Sequence, residues 1–290
     1  METREPVVAG QFYPGTRQAC LAEVEASLAA RSLPENLPDP IVAGIVPHAG
    51  WAFSGDLAAL VFAAIRRRDE AVETFVIFGT AHGYLGPRPA VDGSASWRTP
   101  LGTVAVAAEL RAALLAEELV LNDSDAHRRE HSIEVQVPFI QHLFPDARLL
   151  PIIVPPDPDA ATFGQRVAEV VREQDGSAVY IGSTDLTHYG PRYGFTPEGA
   201  GAEGLRWAHE VNDREFIDAA LRLDAQRLLS EGIARQNACG PGAAAAALAA
   251  ARERGATEGL LLARTNSNEV MQRRMGTTSS DSVGYAAIVF

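Results

Sequence analysis

Three histidines each follow an apolar run: His48 comes after Ile41–Val46, His82 after Phe75–Phe78, and His188 shortly after Val179–Ile181. In an open α/β sheet, residues just beyond the carboxyl ends of the strands converge on one crevice, so the three imidazoles are candidates for a single site. Imidazoles gathered in this way bind a metal or move protons. Two further segments carry reactive groups. Ser183-Thr184-Asp185-Leu186-Thr187-His188 places an acid three residues before a histidine, and a carboxylate that close favours the charged imidazolium. Cys239 in Ala238-Cys239-Gly240-Pro241-Gly242 lies just before an alanine-rich helix, whose amino-terminal amides favour thiolate, the form that acts as ligand or nucleophile. Each feature taken singly also has a plain structural reading: a hydrogen-bonded turn histidine, a small buried cysteine, an Asx-type turn. Glu130-His131 before Ser132 can likewise supply negative charge and a cap to the helix that follows. Cys20, on a helix beginning near Thr16, reads as structural, and His127, His142 and His209 read as helix-surface residues.

The elements that must hold these groups alternate. Ile41–Val46, Thr74–Phe78, Arg148–Val154 and Ser177–Ile181 have the pattern of buried strands, and Asp56–Arg67 and Ala107–Glu117 that of helices. Glu203–Leu223 predicts one long amphipathic helix, because Leu205, Ala208, Val211, Phe216, Ala219 and Ala220 fall on one stripe. Ile133–Phe144 is read as helix, although Ile133, Val135 and Val137 alternate as in a strand and Pro138 suits the interior of neither. Gly190–Gly204 and Thr265–Ser282 are predicted loops able to close over a site, and Val283–Phe290 a buried terminal strand. The pattern predicts an α/β fold: a single domain spanning residues 1–290, with a central mixed or parallel sheet flanked by helices.

Composition narrows the function. A chain of 290 residues with 47% hydrophobic content can bury a full core. The formal net charge of −12 disfavours nucleic acid and acidic membrane surfaces, both of which require clustered cations. The basic run Arg66–Arg68 reads as a solvated helix end. The apolar runs are shorter than the ~18 residues of a membrane span, and Met1–Pro6 is charged, which predicts a cytoplasmic protein. Two cysteines far apart form neither a disulfide framework nor a zinc knuckle.

The segments occur together in a telling order. Arg4-Glu5-Pro6 with Ala9–Pro14, then Val46-Pro47-His48-Ala49-Gly50, Glu130-His131-Ser132-Ile133-Glu134-Val135-Gln136, Ser183–Tyr189, Cys239-Gly240 and Ser282–Ala286 span nearly the whole chain. In this combination the chain resembles the Memo family, known in bacteria and archaea as AmmeMemoRadiSam system protein B, whose fold is similar to the class III extradiol (LigB-like) dioxygenases. The resemblance implies a metal site formed by His48, His82 and Cys239, with Asp185, His188 and His131 lining the pocket as the catalytic groups. It implies a divalent or redox metal, Fe(II) ahead of Cu or Zn, because two nitrogens and a thiolate stand where related dioxygenases have two histidines and a carboxylate. In that scheme His188, oriented by Asp185, is the general acid/base; with zinc, a hydrolytic site is the alternative. A metal-dependent oxidoreductase with an unknown small-molecule or peptide ligand is the leading expectation. The alternatives are a noncatalytic adaptor and a maturation partner of AMMECR-type and radical-SAM proteins. The chain departs from the family pattern at Gly79-Thr80-Ala81-His82, where Gly-Pro-Asn/Ser-His is usual, which predicts a looser second loop.

Overall fold

In the computed structural model, which describes residues 2–69, 71–174 and 176–290, four parallel strands form the centre of a nine-stranded sheet. Their order is Ala43–Val46, Ala178–Ser183, Thr74–Thr80, Arg148–Val154. Ser282–Val289 adds antiparallel to Ala43–Val46, and the short strand Ala90–Val91 adds antiparallel to Arg148–Val154, so the sheet is mixed. Side chains alternate between the faces, as a pleated strand requires. Phe75 and Ile77 join the core beneath helix Trp51–Arg68, while Val76 and Phe78 face the alanine-rich helix Pro241–Glu253. That helix packs on the sheet and against Ala160–Glu173, where Gly164 approaches Ala246 so closely that a Cβ would lie 2.1 Å from the Ala246 carbonyl oxygen. A second sheet joins Thr3–Arg4, Ser96–Thr99 and Gly102–Ala105. Among the described residues, no helix is long and apolar enough to cross a membrane.

The parallel strands present their carboxyl ends together. Val46 pairs with Ser183 and Thr80 with Val154, so the loops carrying His48, Asp185 and His82 leave from one edge. The helix after His48 begins at Trp51, five residues earlier than its apolar pattern suggests. Its start turns on Gly50, and the Trp51 amide donates to the Phe12 carbonyl.

Three sequence expectations change in the folded chain. The long helix over 203–223 is instead Ala202–Trp207, a π-helical turn at Ala208–Asn212, and Asp213–Leu221. The wide turn swings Asn212 into the interior, where its amide donates to Thr187 Oγ1 and the Arg235 carbonyl; a π-turn commonly marks such a demand. Thr265–Ser282 is not a loop throughout, because Asn266 caps helix Ser267–Met275 by accepting from the Glu269 amide. Within Ile133–Phe144, a 3₁₀ turn at Glu134–Gln136 leads into helix Val137–Leu143. Pro138 lies in the first turn, where its missing N–H has no intrahelical partner to lose.

Candidate metal centre

His48 is 2% exposed and fixed at both its backbone and its ring. Its amide donates to Asp185 Oδ1 at 2.7 Å, and the Ala49 amide donates to the same oxygen at 3.3 Å. Its Nδ1 lies 3.0 Å from Ser183 Oγ, whose own proton goes to the Ser132 carbonyl at 2.7 Å. The serine oxygen therefore accepts, Nδ1 carries the proton, and the Nε2 lone pair is free. His82 reaches the same arrangement through Glu130. Both carboxylate oxygens lie 3.1 Å from Nδ1, and a carboxylate only accepts, so Nδ1 carries a proton and Nε2 is the nitrogen left to face the centre. An outer carboxylate holding a ring in this way is the usual support of a metal-ligating histidine.

The ligand nitrogens of His48, His82 and His131 all lie within 4.8 Å of one another, a group able to hold a metal ion. His131 stacks on His82 with ring centroids 4.8 Å apart, and Phe12 packs edge-on against His131 at 4.7 Å. Cys239 comes in from the segment between helices Ala225–Arg235 and Pro241–Glu253. Its sulfur lies 3.2 Å from His48 Nε2 and accepts from the Asp185 amide at 3.3 Å. The Cys239 amide donates to the Asp185 carbonyl, and the Gly240 amide donates to Thr184 Oγ1. Only glycine fits at 240, since a Cβ there would lie 2.1 Å from Thr80 Oγ1. Thr80, two residues before His82, donates its hydroxyl to the Ser183 carbonyl. The second loop is thus anchored through Thr80 and through the His82 amide, which donates to Glu130.

Asp185 and His188 do not form the pair their spacing suggests. The aspartate holds the His48 loop through its backbone amides, and no bond joins it to His188 among the described residues. His188 Nε2 is buried without a hydrogen-bond partner among them, and its ring lies 5.0 Å from that of Tyr193. A second correction concerns His127, which is 1% exposed rather than on a helix surface and bonds through Nε2 to the Ala90 carbonyl. Glu130 is the residue beside the candidate site that sequence reasoning undervalued. Besides His82, it accepts from the amides of His131 and Ser132, so its capping role was legible but its grip on His82 was not.

The electrostatics separate the groups. Burial lowers His48, and the neighbouring His82, His131 and His188 lower it further. Burial pushes Asp185 up to about 7 despite its two backbone donors, and burial with His82 lowers His188 to about 4. For His82 burial alone would lower the ring, but bonds to Cys239 and Glu130 outweigh it and raise the ring to about 10. Burial would raise Glu130, yet its bond to His82 and the facing charge bring it down to about 2. Cys20, 0% exposed, is raised by burial to about 12 and is inert.

The His82 shift sets a pH dependence. A ring raised from 6.5 to about 10 holds its proton more tightly folded than unfolded, so its contribution to stability is present below 6.5 and is lost as pH rises toward 10. Metal competes with that proton, so metal uptake should strengthen as pH rises over the same interval. In Glu130→Gln the interval should shift to lower pH, with affinity at its plateau weaker by roughly 10–100-fold. Chelator-competition titrations across pH check this; superimposable profiles would show that Glu130 does not govern His82.

The fold and this site define an α/β protein with a histidine-rich centre at the carboxyl edge of its parallel strands. The Memo-like protein family model matches residues 4–289, and the chain belongs to that family. A MEMO1 family protein of Thermococcus onnurineus is 40% identical over 300 aligned residues, covering 99% of both chains. Others from Methanosarcina acetivorans and Methanococcoides burtonii are 37% and 36% identical, again over 99% or more of this chain and 99% of each relative.

Proposed function

We propose that the protein is a metal-dependent oxidoreductase built on a fold akin to the LigB-like dioxygenases. The observation that carries this reading is the convergence of His48, His82 and His131 nitrogens within 4.8 Å, with the Cys239 sulfur 3.2 Å from His48 Nε2. His48 and His82 would hold the metal through Nε2 and Cys239 through sulfur, with His131 forming the adjoining wall. A donor set of two imidazoles and a thiolate is soft and electron-rich, which suits Fe(II) first and Cu next, with Zn as the redox-inert alternative. When bound, such a metal supplies an electron-transfer centre with positions open to small ligands.

The chain's own groups prepare the site. Ser183 and Glu130 keep the Nδ1 protons of His48 and His82 directed away from the centre. Asp185 fixes the His48 loop rather than moving protons itself. His188, neutral near pH 7 and unpartnered at Nε2, is the group placed to accept or return a proton at that atom.

Oxygen uptake tests the proposal. Protein loaded anaerobically with Fe(II) and supplied with ascorbate should consume oxygen at a rate proportional to bound metal, and His188→Ala should slow it by roughly 10²–10⁴-fold. Stoichiometric zinc in the protein as purified, with no uptake after iron or copper loading, would overturn the redox assignment.

A further inference from the structure

Gln136 is fully buried in the 3₁₀ turn Glu134–Gln136, and its neighbours Val135 and Val137 belong to the apolar core. A polar side chain in such a place is costly unless its hydrogen bonds are made. Its Nε2 lies 2.8 Å from the Pro47 carbonyl, 3.4 Å from Ser183 Oγ and 3.5 Å from the Ser132 carbonyl. A carbonyl only accepts, so the NH2 group faces Pro47 and the orientation of the amide is fixed. Oε1 then points elsewhere and has no hydrogen-bond partner among the described residues. An apolar side chain of the same length would leave no such acceptor unpaired, so core packing gives no reason for glutamine here, whereas its two N–H donors do.

Those donors approach His48 from two directions. Pro47 is the residue before it, and the Pro47 carbonyl is buried with Gln136 as its partner. Ser183 Oγ faces His48 Nδ1 at 3.0 Å. A hydroxyl has one proton and two lone pairs. Here the proton goes to the Ser132 carbonyl and the lone pairs receive His48 Nδ1 and Gln136 Nε2, so every position around the oxygen is filled. We infer that Gln136 is a positioning residue for His48: by tying the Pro47 carbonyl to Ser183 Oγ it fixes the backbone before the ring and the acceptor of the Nδ1 proton together, and so aims Nε2 at the centre. The assignment rests on reading His48 as a ligand of that centre. With Glu130 gripping His82, residues 130–136 become one template for both imidazoles.

Gln136→Met keeps the length of the side chain, removes both donors and tests the assignment beside Ser183→Ala. In the metal-free protein, heteronuclear NMR should show the His48 Nδ1 proton, identified by its loss in His48→Ala, exchanging with water about tenfold faster in Gln136→Met. Zn(II) affinity of the full chain, read by chelator competition, should fall about tenfold in Gln136→Met and roughly 10–100-fold in Ser183→Ala. Because both act on one ring, the double variant should fall short of the product of the single losses by about threefold or more. Glu130→Gln acts on His82 and should multiply with Gln136→Met. The urea midpoint of Gln136→Met should stay near that of the wild type, since the variant removes one unpaired acceptor, Oε1, and creates another at Pro47. Gln136→Leu, also without donors, should give the same pattern. The assignment is overturned if proton exchange and zinc affinity match the wild type, if the losses with Ser183→Ala multiply in full, or if both apolar variants unfold at much lower urea, which would make the role structural. A wild type that takes up no zinc removes the metal centre, and proton exchange still decides whether Gln136 positions the ring.

Discussion

Cys239→Ser and His48→Ala should each lower metal affinity by about 100-fold or more, while Cys20→Ser leaves it unchanged. The size follows from the roughly 10–16 kcal/mol with which a four-ligand protein site holds zinc, or about 3 kcal/mol for each ligand. Cys20 is fully buried where helix Arg17–Ala29 packs against helices Trp51–Arg68 and Val137–Leu143, and it serves as an internal control for the chemistry of cysteine replacement. His131→Ala is the informative third variant, because its nitrogen belongs to the 4.8 Å cluster whereas Cys239 adjoins that cluster through His48. Retained metal in His131→Ala with loss in Cys239→Ser would establish the thiolate as the third ligand. The opposite pattern, read by elemental analysis and chelator competition, would replace the proposed set with three histidines.

Glu134→Ala should cost about 3–5 kcal/mol of stability, the loss expected when one partner of a buried ion pair is removed and the other charge stays inside. The Glu134 carboxylate is fully buried and accepts from Arg4 Nη1 at 2.8 Å, from the amides of Val7 and Val8, and from the Tyr13 hydroxyl. Without it, Arg4 keeps only the carbonyls of His127 and Glu130, and its guanidinium remains 4.0 Å from the centre of the Trp97 ring. A domain typically has only about 5–15 kcal/mol in hand, so a large fraction would be lost. The damage should extend to the centre, because the strap tied by Glu134 also carries Phe12, which packs on His131. Glu5→Ala breaks the exposed pair with Arg98 and should cost at most about 1 kcal/mol. Urea unfolding of both variants decides it; a loss below about 1 kcal/mol in Glu134→Ala would show that Arg4 finds solvent or another partner.

The amino-acid sequence by itself determined the α/β alternation, the strands that carry the site, and the family. Buried parallel strands are continuous apolar runs with Gly or Pro at their exits, a local signal that needs no partner to be read. The motifs around His48, Asp185, His188 and Cys239 were legible for the same reason, each lying within a few residues of a strand or helix end. Tertiary structure alone decided what those groups touch. Asp185 is three residues from His188, yet it bonds to the backbone of His48, 137 residues away, because adjacent parallel strands bring their carboxyl ends side by side. Glu130 reads locally as a cap, and its grip on His82 exists only after the turn before helix Val137–Leu143 folds against the strand ending at Thr80. The π-helical turn at Ala208–Asn212 likewise interrupts a regular apolar stripe to serve distant partners, Thr187 and Arg235. Local pattern records which face of an element is apolar, while hydrogen bonds between loops depend on strand order and register, which no single segment encodes.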